Sequence, residues 1–191
     1  MWKSLGAQII DADALARLVT GNDSPCLEKL VSAFSEEILN EDKSLNRKAL
    51  GKLAFSSKEK TDLLTSITHP YILDLCYQKV EEYKALGTSF IIIDAPLLFE
   101  SQLDTHCDLV ISVVSDKENR KQRIMHRDTL SEEDAFLRMN QQFDNDFYVG
   151  KSNVVLYNNH SVETLKQNAK ELWTCMEQVA EVEDLPKSFG L

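Results

Sequence analysis

Four short apolar runs punctuate the chain, and longer stretches with helical spacing separate them. The runs are Ala7-Gln8-Ile9-Ile10, Phe90-Ile91-Ile92-Ile93, Leu109-Val110-Ile111-Ser112-Val113-Val114 and Val154-Val155-Leu156-Tyr157. Each is nearly continuous in hydrophobicity and rich in β-branched residues. Parallel strands covered on both faces read this way, because neither face meets water. Between the runs, apolar residues recur three and four positions apart. Leu27, Leu30, Val31, Phe34 and Ile38 share one helical face, after a Ser24-Pro25 start that matches an N-cap followed by proline in the first turn. Ser56-x-x-Glu59, Ser115-x-x-Glu118 and Ser131-x-x-Asp134 have the form of capping boxes and predict three further helix starts. His69-Pro70 predicts a break between two helices, since a residue before proline avoids the helical region. Ile72, Leu75, Cys76, Val80 and Tyr83 then form a stripe that stops at Gly87, and Val162, Leu165, Ala169, Leu172, Met176 and Val179 mark a last long helix. Strands alternating with helices predict an α/β layered domain on a parallel sheet.

Composition narrows the function classes. The formal net charge of -10 argues against a broad nucleic-acid-binding face, which needs a basic stripe. No apolar run approaches the roughly 18 residues of a membrane span. Cys26, Cys76, Cys107 and Cys175 are scattered, so neither a zinc site nor a disulfide scaffold is indicated. Reduced, mostly buried thiols in a cytosolic protein are expected. The acidic stretch 181–191 is expected to be a loose tail.

In open α/β sheets, ligands bind at the carboxyl ends of the strands. After the first run come Asp11 and Asp13, with Arg17 one turn on; after the second come Asp94, Pro96 and Glu100. A single aspartate there serves equally as a helix cap or turn former. After the third run comes a basic helix, with Arg120, Arg123 and Arg127 at i, i+3 and i+7 on one face and Arg138 on the next helix. Such a face is either solvated and paired with nearby acids or a phosphate clamp, for which planar guanidinium is suited. Gly150-Lys151-Ser152 mimics the end of a phosphate loop. Asn145 stands where that motif needs glycine, and a strand follows where a helix should. His69, His106, His126 and His160 have no metal-site spacing, and no metal ligands are assigned.

Several of these segments together resemble one family. Leu5-Gly6-Ala7-Gln8-Ile9-Ile10-Asp11-Ala12-Asp13-x-x-Ala16-Arg17, Asn46-Arg47-Lys48-Ala49-Leu50, Ile67-Thr68-His69-Pro70-Tyr71-Ile72 and Asp94-Ala95-Pro96-Leu97-Leu98-Phe99-Glu100 are similar to ordered motifs of dephospho-coenzyme A kinases. So are Gln122-Arg123-x-x-x-Arg127-Asp128, Arg138-x-x-x-Gln142 and Val155-Leu156-x-Asn158. The resemblance covers roughly residues 3 to 175. It implies a three-layer parallel sheet of the P-loop nucleoside-kinase type with a helical lid. One kinase-like domain over 1–180 is expected, with a helical substrate-binding region over about 20–88 and a lid over about 115–150. It further implies a cytoplasmic enzyme that uses ATP and Mg²⁺ to phosphorylate the ribose 3′-hydroxyl of dephospho-coenzyme A, the last step of coenzyme A synthesis. Asp13 would take or orient the hydroxyl proton. Arg127, with Arg120, Arg123 and Arg138, would serve the ATP phosphates from the lid. Arg17, His69 and the Pro96-Leu97-Leu98 turn would line the substrate side.

Departures accompany the match. Ser152-Asn153 stand where the family usually has Ala-Asp, and Phe147 and Tyr148 where basic residues are common. The family's opening strand and glycine-rich phosphate loop are not among the 191 residues. In the family's sheet that strand is central, and its loss would cost on the order of 10 kcal/mol, comparable to a whole domain's stability. The expectation is a sequence recorded from a late start, giving a chain that is inactive and poorly stable. The alternatives are a non-catalytic relic that binds a coenzyme A-like ligand or a partner, and a related kinase for another nucleoside-like substrate.

Overall fold

A computed structural model describes residues 1–140 and 142–181. The chain divides into two compact units, Lys3–Leu103 and a second formed by Met1–Trp2 with the chain from Asp104 onward.

The first unit holds strands β1 (Gln8–Asp11) and β2 (Ile91–Asp94), with helices α1 (Ala12–Val19), α2 (Pro25–Phe34), α3 (Arg47–Ala54) and α4 (Lys58–Ala85) between them. The two strands pair in parallel, Gln8 opposite Ile91 and Asp11 opposite Asp94. Four helices separate them, because parallel neighbours need a crossover rather than a hairpin. The helical stripe in α2 is the centre of the core. Cys26, Leu30 and Phe34 pack with Ile38, Leu50 and Ala54, and Leu64, Ile67 and Tyr71 of α4 close over them. Leu30, Ile38 and Ala54 are fully buried.

Helix starts follow the short polar side chains. Ser24 accepts from the Leu27 N–H at 3.1 Å ahead of Pro25. Asn46 accepts from the Ala49 N–H at 3.0 Å. Ser57, not Ser56, caps α4, accepting from Lys60 N–H; the Ser56 hydroxyl instead bonds back to the Leu53 carbonyl at the end of α3.

The predicted break at His69-Pro70 does not occur: α4 runs unbroken for 28 residues with Pro70 inside it. An interior proline costs a helix roughly 3 kcal/mol. Here the core holds the helix on both sides of it, through Leu64 and Ile67 before and Tyr71 after, while Pro70 itself is exposed. Tertiary packing overrides the local preference. The helix ends at Ala85 with Leu86 as its C-cap, and the next residue, Gly87, has a φ of +72° that suits glycine and few other residues.

The second unit holds β3 (Ile111–Val114), α5 (Lys117–Asp128), α6 (Glu132–Met139), α7 (Asn145–Lys151), β4 (Val154–Tyr157) and α8 (Val162–Glu181). β3 and β4 pair in parallel, Ile111 opposite Val154 and Val114 opposite Tyr157. Trp2 joins this unit: its Nε1–H donates to the Ala169 carbonyl at 2.9 Å, beside the ring of Trp173. The tail expected over 181–191 lies outside the described residues, apart from the backbone of Glu181 that ends α8.

Both sheets are two-stranded among the described residues. The expectation of strands covered on both faces is therefore only partly met. Ile91, Ile92 and Ile93 are half-buried, and Val113 and Tyr157 are exposed. A strand with one paired edge keeps the other open, and its side chains gain cover from one side only.

Candidate active site

In the first unit the parallel register brings two aspartates together. β1 ends on Asp11 and β2 on Asp94, and the two are direct partners. Their tasks differ. Asp11 caps α1, its Oδ1 accepting from the Ala14 N–H at 2.9 Å. Asp13 sits in the first turn of α1, exposed, and its carboxylate makes no hydrogen bond among the described residues. The positive end of a helix favours a carboxylate there. Arg17 lies four residues on, also exposed, so the pair shares one face of α1. Of the two carboxylates at this strand end, Asp11 is engaged by the backbone of α1 and Asp13 is exposed.

Beyond Asp94 the chain forms a tight turn over Pro96–Glu100. Ser101 N–H bonds to the Leu97 carbonyl at 3.0 Å and Leu103 N–H to the Leu98 carbonyl at 3.1 Å. The turn presents Leu97, 46% exposed, immediately past the strand end. An apolar side chain held out on a braced turn offers a surface to the apolar part of a ligand. His69, on α4, is half-buried. Burial pushes its imidazole below the ordinary pKa, and the carboxylate of Glu100 at the end of the same turn acts in the opposite direction. Asp13 with Arg17, His69 with Glu100, and the Pro96-Leu97-Leu98 turn thus all belong to one unit.

The motif Asn46-Arg47-Lys48-Ala49-Leu50 has a structural task that its sequence did not disclose. The Arg47 Nη2 donates to the Thr20 hydroxyl at 2.9 Å and to the Arg17 carbonyl at 3.4 Å. It ties α3 to the carboxyl end of α1, where a cation also complements the helix dipole. Thr20, the buried C-cap of α1, in turn donates to the Ala16 carbonyl at 2.7 Å. The helix that carries Asp13 and Arg17 is fixed at both ends.

In the second unit polar and basic side chains gather after β3 and β4. The predicted Ser115 box is absent: Asp116 occupies the N-cap of α5 without a side-chain cap bond. Asp116 is engaged by the loop after β4 instead. Its N–H donates to Asn159 Oδ1 at 2.7 Å, and its Oδ1 accepts from Asn159 Nδ2 at 2.9 Å. Ser131 caps α6 as predicted, with Asp134 N–H donating to the Ser131 hydroxyl at 3.1 Å, while that hydroxyl donates to the Asp134 carboxylate at 2.7 Å.

The four arginines take different partners. Arg120 Nη1 donates to Asn145 Oδ1 at 3.3 Å, while Asn145 Nδ2 donates to the Ser115 carbonyl at 2.9 Å, and Arg120 Nε is buried without a partner among the described residues. Arg123 Nη1 donates to the Asn158 carbonyl at 2.8 Å. Arg127 and Arg138 meet on a single carboxylate, that of Asp128. Hydrogen bonds from Arg127 hold Asp128 below the usual carboxylate range, with the charge of Arg138 adding to the effect. So the pair brought together is Arg127 and Arg138, with Arg120 and Arg123 braced elsewhere on the unit.

Gly150-Lys151-Ser152 lies at the end of α7 and leads directly into β4, the reverse of a phosphate loop's strand-to-helix order. Phe147 and Tyr148 form an aromatic cluster with Phe143; the rings of Phe143 and Phe147 stack at 3.9 Å. None of the cysteines is in a disulfide; Cys26 and Cys76 are buried, Cys107 is intermediate and Cys175 exposed. No described helix is long and apolar enough to cross a membrane.

In the first unit the parallel strands end on paired aspartates, and in the second parallel strands are joined through helices, the pattern of an α/β fold. Solved structures carry the same fold. A dephospho-CoA kinase from Campylobacter jejuni is 30% identical, matches 92% of this chain and 88% of its own, and superposes with a TM-score of 0.67. A Thermus thermophilus protein, 28% identical, covers 92% of this chain and 87% of its own, with a TM-score of 0.75. A dephospho-CoA kinase from Corynebacterium efficiens is 40% identical over 167 residues, 87% of this chain and 84% of its own length. One from Listeria monocytogenes is 36% identical over 178 residues, 93% of this chain and 88% of its own. The dephospho-CoA kinase family matches residues 1–164, and the chain belongs to that family.

Proposed function

We propose that this chain serves the transfer of a phosphoryl group from ATP to the ribose 3′-hydroxyl of dephospho-coenzyme A, in the cytoplasm. The observation that carries the proposal is the exposed carboxylate of Asp13 on the first turn after β1, within the segment that matches the family. A carboxylate so placed takes the hydroxyl proton as the oxygen attacks the γ-phosphorus. The new bond is ribose oxygen to phosphorus; the bond broken is the one between the γ-phosphorus and the bridging oxygen, and ADP leaves. By resemblance to the family, Arg127 and Arg138 would meet the phosphates of the nucleotide, for which planar guanidinium is suited. Arg17, His69 and Pro96-Leu97-Leu98 line the acceptor side, the arginine for phosphate and the turn for apolar surface.

ATP-dependent kinases of this kind use Mg²⁺. Among the described residues no group of three or more carboxylate, imidazole or thiolate side chains is placed to cage an ion. Mg²⁺ commonly keeps phosphates and waters as most of its ligands, so it would be held chiefly by the nucleotide and would supply charge neutralisation on its phosphates.

Calorimetric titration of the chain with dephospho-coenzyme A tests the acceptor side. Saturable binding at one site, weakened about tenfold by Arg17→Ala as expected for one charge-assisted contact, supports the proposal. No binding at millimolar ligand overturns it. Incubation with ATP, Mg²⁺ and dephospho-coenzyme A, followed by mass analysis of the product, tests transfer itself.

A further inference from the structure

The reading just given uses Arg127 and Arg138 but assigns nothing to the acid between them. Asp128 is the last residue of α5, and Arg138 lies on α6. Thr129, the C-cap, adopts a left-handed conformation (φ 53°, ψ 46°), and both it and Leu130 return their N–H groups to the Met125 carbonyl. This turn folds α6 back against α5. Two contacts farther along brace the pair: Lys121 bridges Glu118 and Glu132, and Lys117 lies over the Phe136 ring at 4.8 Å.

The geometry at Asp128 is specific. Arg127 Nε donates to its Oδ1 at 2.8 Å and Arg127 Nη2 to its Oδ2 at 2.8 Å, a two-point fork. Arg138 Nη1 donates to the same Oδ2 at 2.7 Å. No other carboxylate pairs with either arginine among the described residues. Asp128 is the less exposed partner, its side chain 23% exposed against 67% for Arg127 and 53% for Arg138. One sheltered acid thus holds two outward guanidiniums against their mutual repulsion. Two positive charges and one negative leave the trio cationic. The Nη1 of Arg127 and the Nε and Nη2 of Arg138 take no part in the contact with Asp128.

We propose that Asp128 is a positioning residue: it fastens Arg127 and Arg138 into one preformed, net-cationic receptor for the polyphosphate of the nucleotide, acting through the arginines rather than on the substrate. This rests on the phosphoryl-transfer reading. Long side chains lose rotamer freedom when they grip a ligand, and a group that has already fixed them reduces that loss. The opposite role is also chemically conceivable, in which the carboxylate competes with phosphate for the arginines. The two differ in sign, since removal of the acid weakens binding in the first and tightens it in the second.

The test uses the full chain and inorganic triphosphate as the probe. Arginine Nε–H resonances of Arg127 and Arg138 are followed by NMR during titration in the parent, Asp128→Asn and Lys121→Met. The last variant breaks the ion pairs that brace the same two helices without touching the arginines. The expected result is protected Nε–H signals in the parent that shift together on titration. Asp128→Asn loses that protection and binds triphosphate about tenfold more weakly, while Lys121→Met stays within twofold of the parent. Unchanged or tighter binding in Asp128→Asn overturns the proposal. So does an equal loss in Lys121→Met, which would make the effect one of helix packing, or a parent that does not bind triphosphate at millimolar concentration. A parent that behaves as expected here but does not bind dephospho-coenzyme A at millimolar concentration defeats the functional reading and leaves the role of Asp128 standing.

Discussion

Asp11 and Asp94 stand side by side as the last residues of β1 and β2. The two acids and their neighbour Asp13 are close in sequence type and different in task. Asp11 is used by the backbone of α1, and Asp13, two residues on, is exposed. Substitution separates the tasks. Asp13→Asn keeps shape and helix and, in a version of the protein carrying the family's phosphate loop, is expected to lower phosphorylation of dephospho-coenzyme A by about 100-fold or more, with binding of that substrate little changed. Asp11→Ala is expected to act on folding instead, by about 0.5–2 kcal/mol for a lost cap, read as a shift in the urea midpoint. Near-parent turnover in Asp13→Asn removes it from the role of base.

The core of the first unit gives a stability prediction. Leu30 is fully buried among Cys26, Phe34, Ile38, Leu50 and Ala54. Leu30→Ala leaves a cavity that neighbouring helices close only in part, and a loss of about 3 kcal/mol is expected. Leu18, on α1, is 65% exposed, and Leu18→Ala is expected to stay within about 0.5 kcal/mol. Denaturant midpoints compared at equal slope check both.

His69 links stability to pH. Burial disfavours its charged form, so its pKa is lower in the folded chain than in the unfolded one. Between those two values the unfolded state binds the extra proton, and stability rises with pH. The contribution is complete above the unfolded value of about 6.5 and is lost as pH falls through the folded one. Denaturant midpoints between pH 5.5 and 7.5 are expected to fall on the acid side in the parent. His69→Gln is expected to flatten that slope, and an unaltered slope rejects the assignment.

Thiol reactivity should sort by burial. Burial raises Cys26 above its ordinary pKa and pushes Cys76 up to about 11. The thiolate is the reactive form, so both are expected to resist iodoacetamide at pH 8 until denaturant is added. Cys175, exposed on α8, is expected to react in the folded chain. Peptide mapping after timed alkylation reads all three.

The strands and most helices were legible in the sequence because their signals are local. Continuous β-branched runs, the Ser24-Pro25 start and the Ser131 cap depend on a few adjacent residues, and each formed. The failures arose where distant partners decide. Pro70 stays inside α4 because Leu64, Ile67 and Tyr71 are anchored in a core built by α2 and α3. Ser115 yields the N-cap to Asp116 because Asn159, after β4, grips Asp116. The same holds for the site. Strand-end position marked Asp13, Arg17 and the Pro96 turn. Helical spacing placed Arg120, Arg123 and Arg127 on one face, but spacing does not say that Arg123 turns to the Asn158 carbonyl while Arg127 shares Asp128 with Arg138. The role of Arg47 was hidden for the same reason, since Thr20 and Arg17 lie far from it in sequence.

The parallel register of β1 with β2 also sets an order of assembly. The chain between Asp11 and Ile91 is about twice as long as that between Val114 and Val154, and each doubling of a flexible loop adds only about 0.6 kcal/mol to closure. The larger obstacle is timing. During synthesis Asp11 has no partner until the ribosome has released Asp94, after all four intervening helices. α1 to α4 can pack before the strand pair exists, and the helical core then presents β1 to β2. The neighbouring acids at the strand ends are thus among the last features of this unit to form, and damage to the distant core of α2 should reach the chemistry through delayed pairing as well as lost stability.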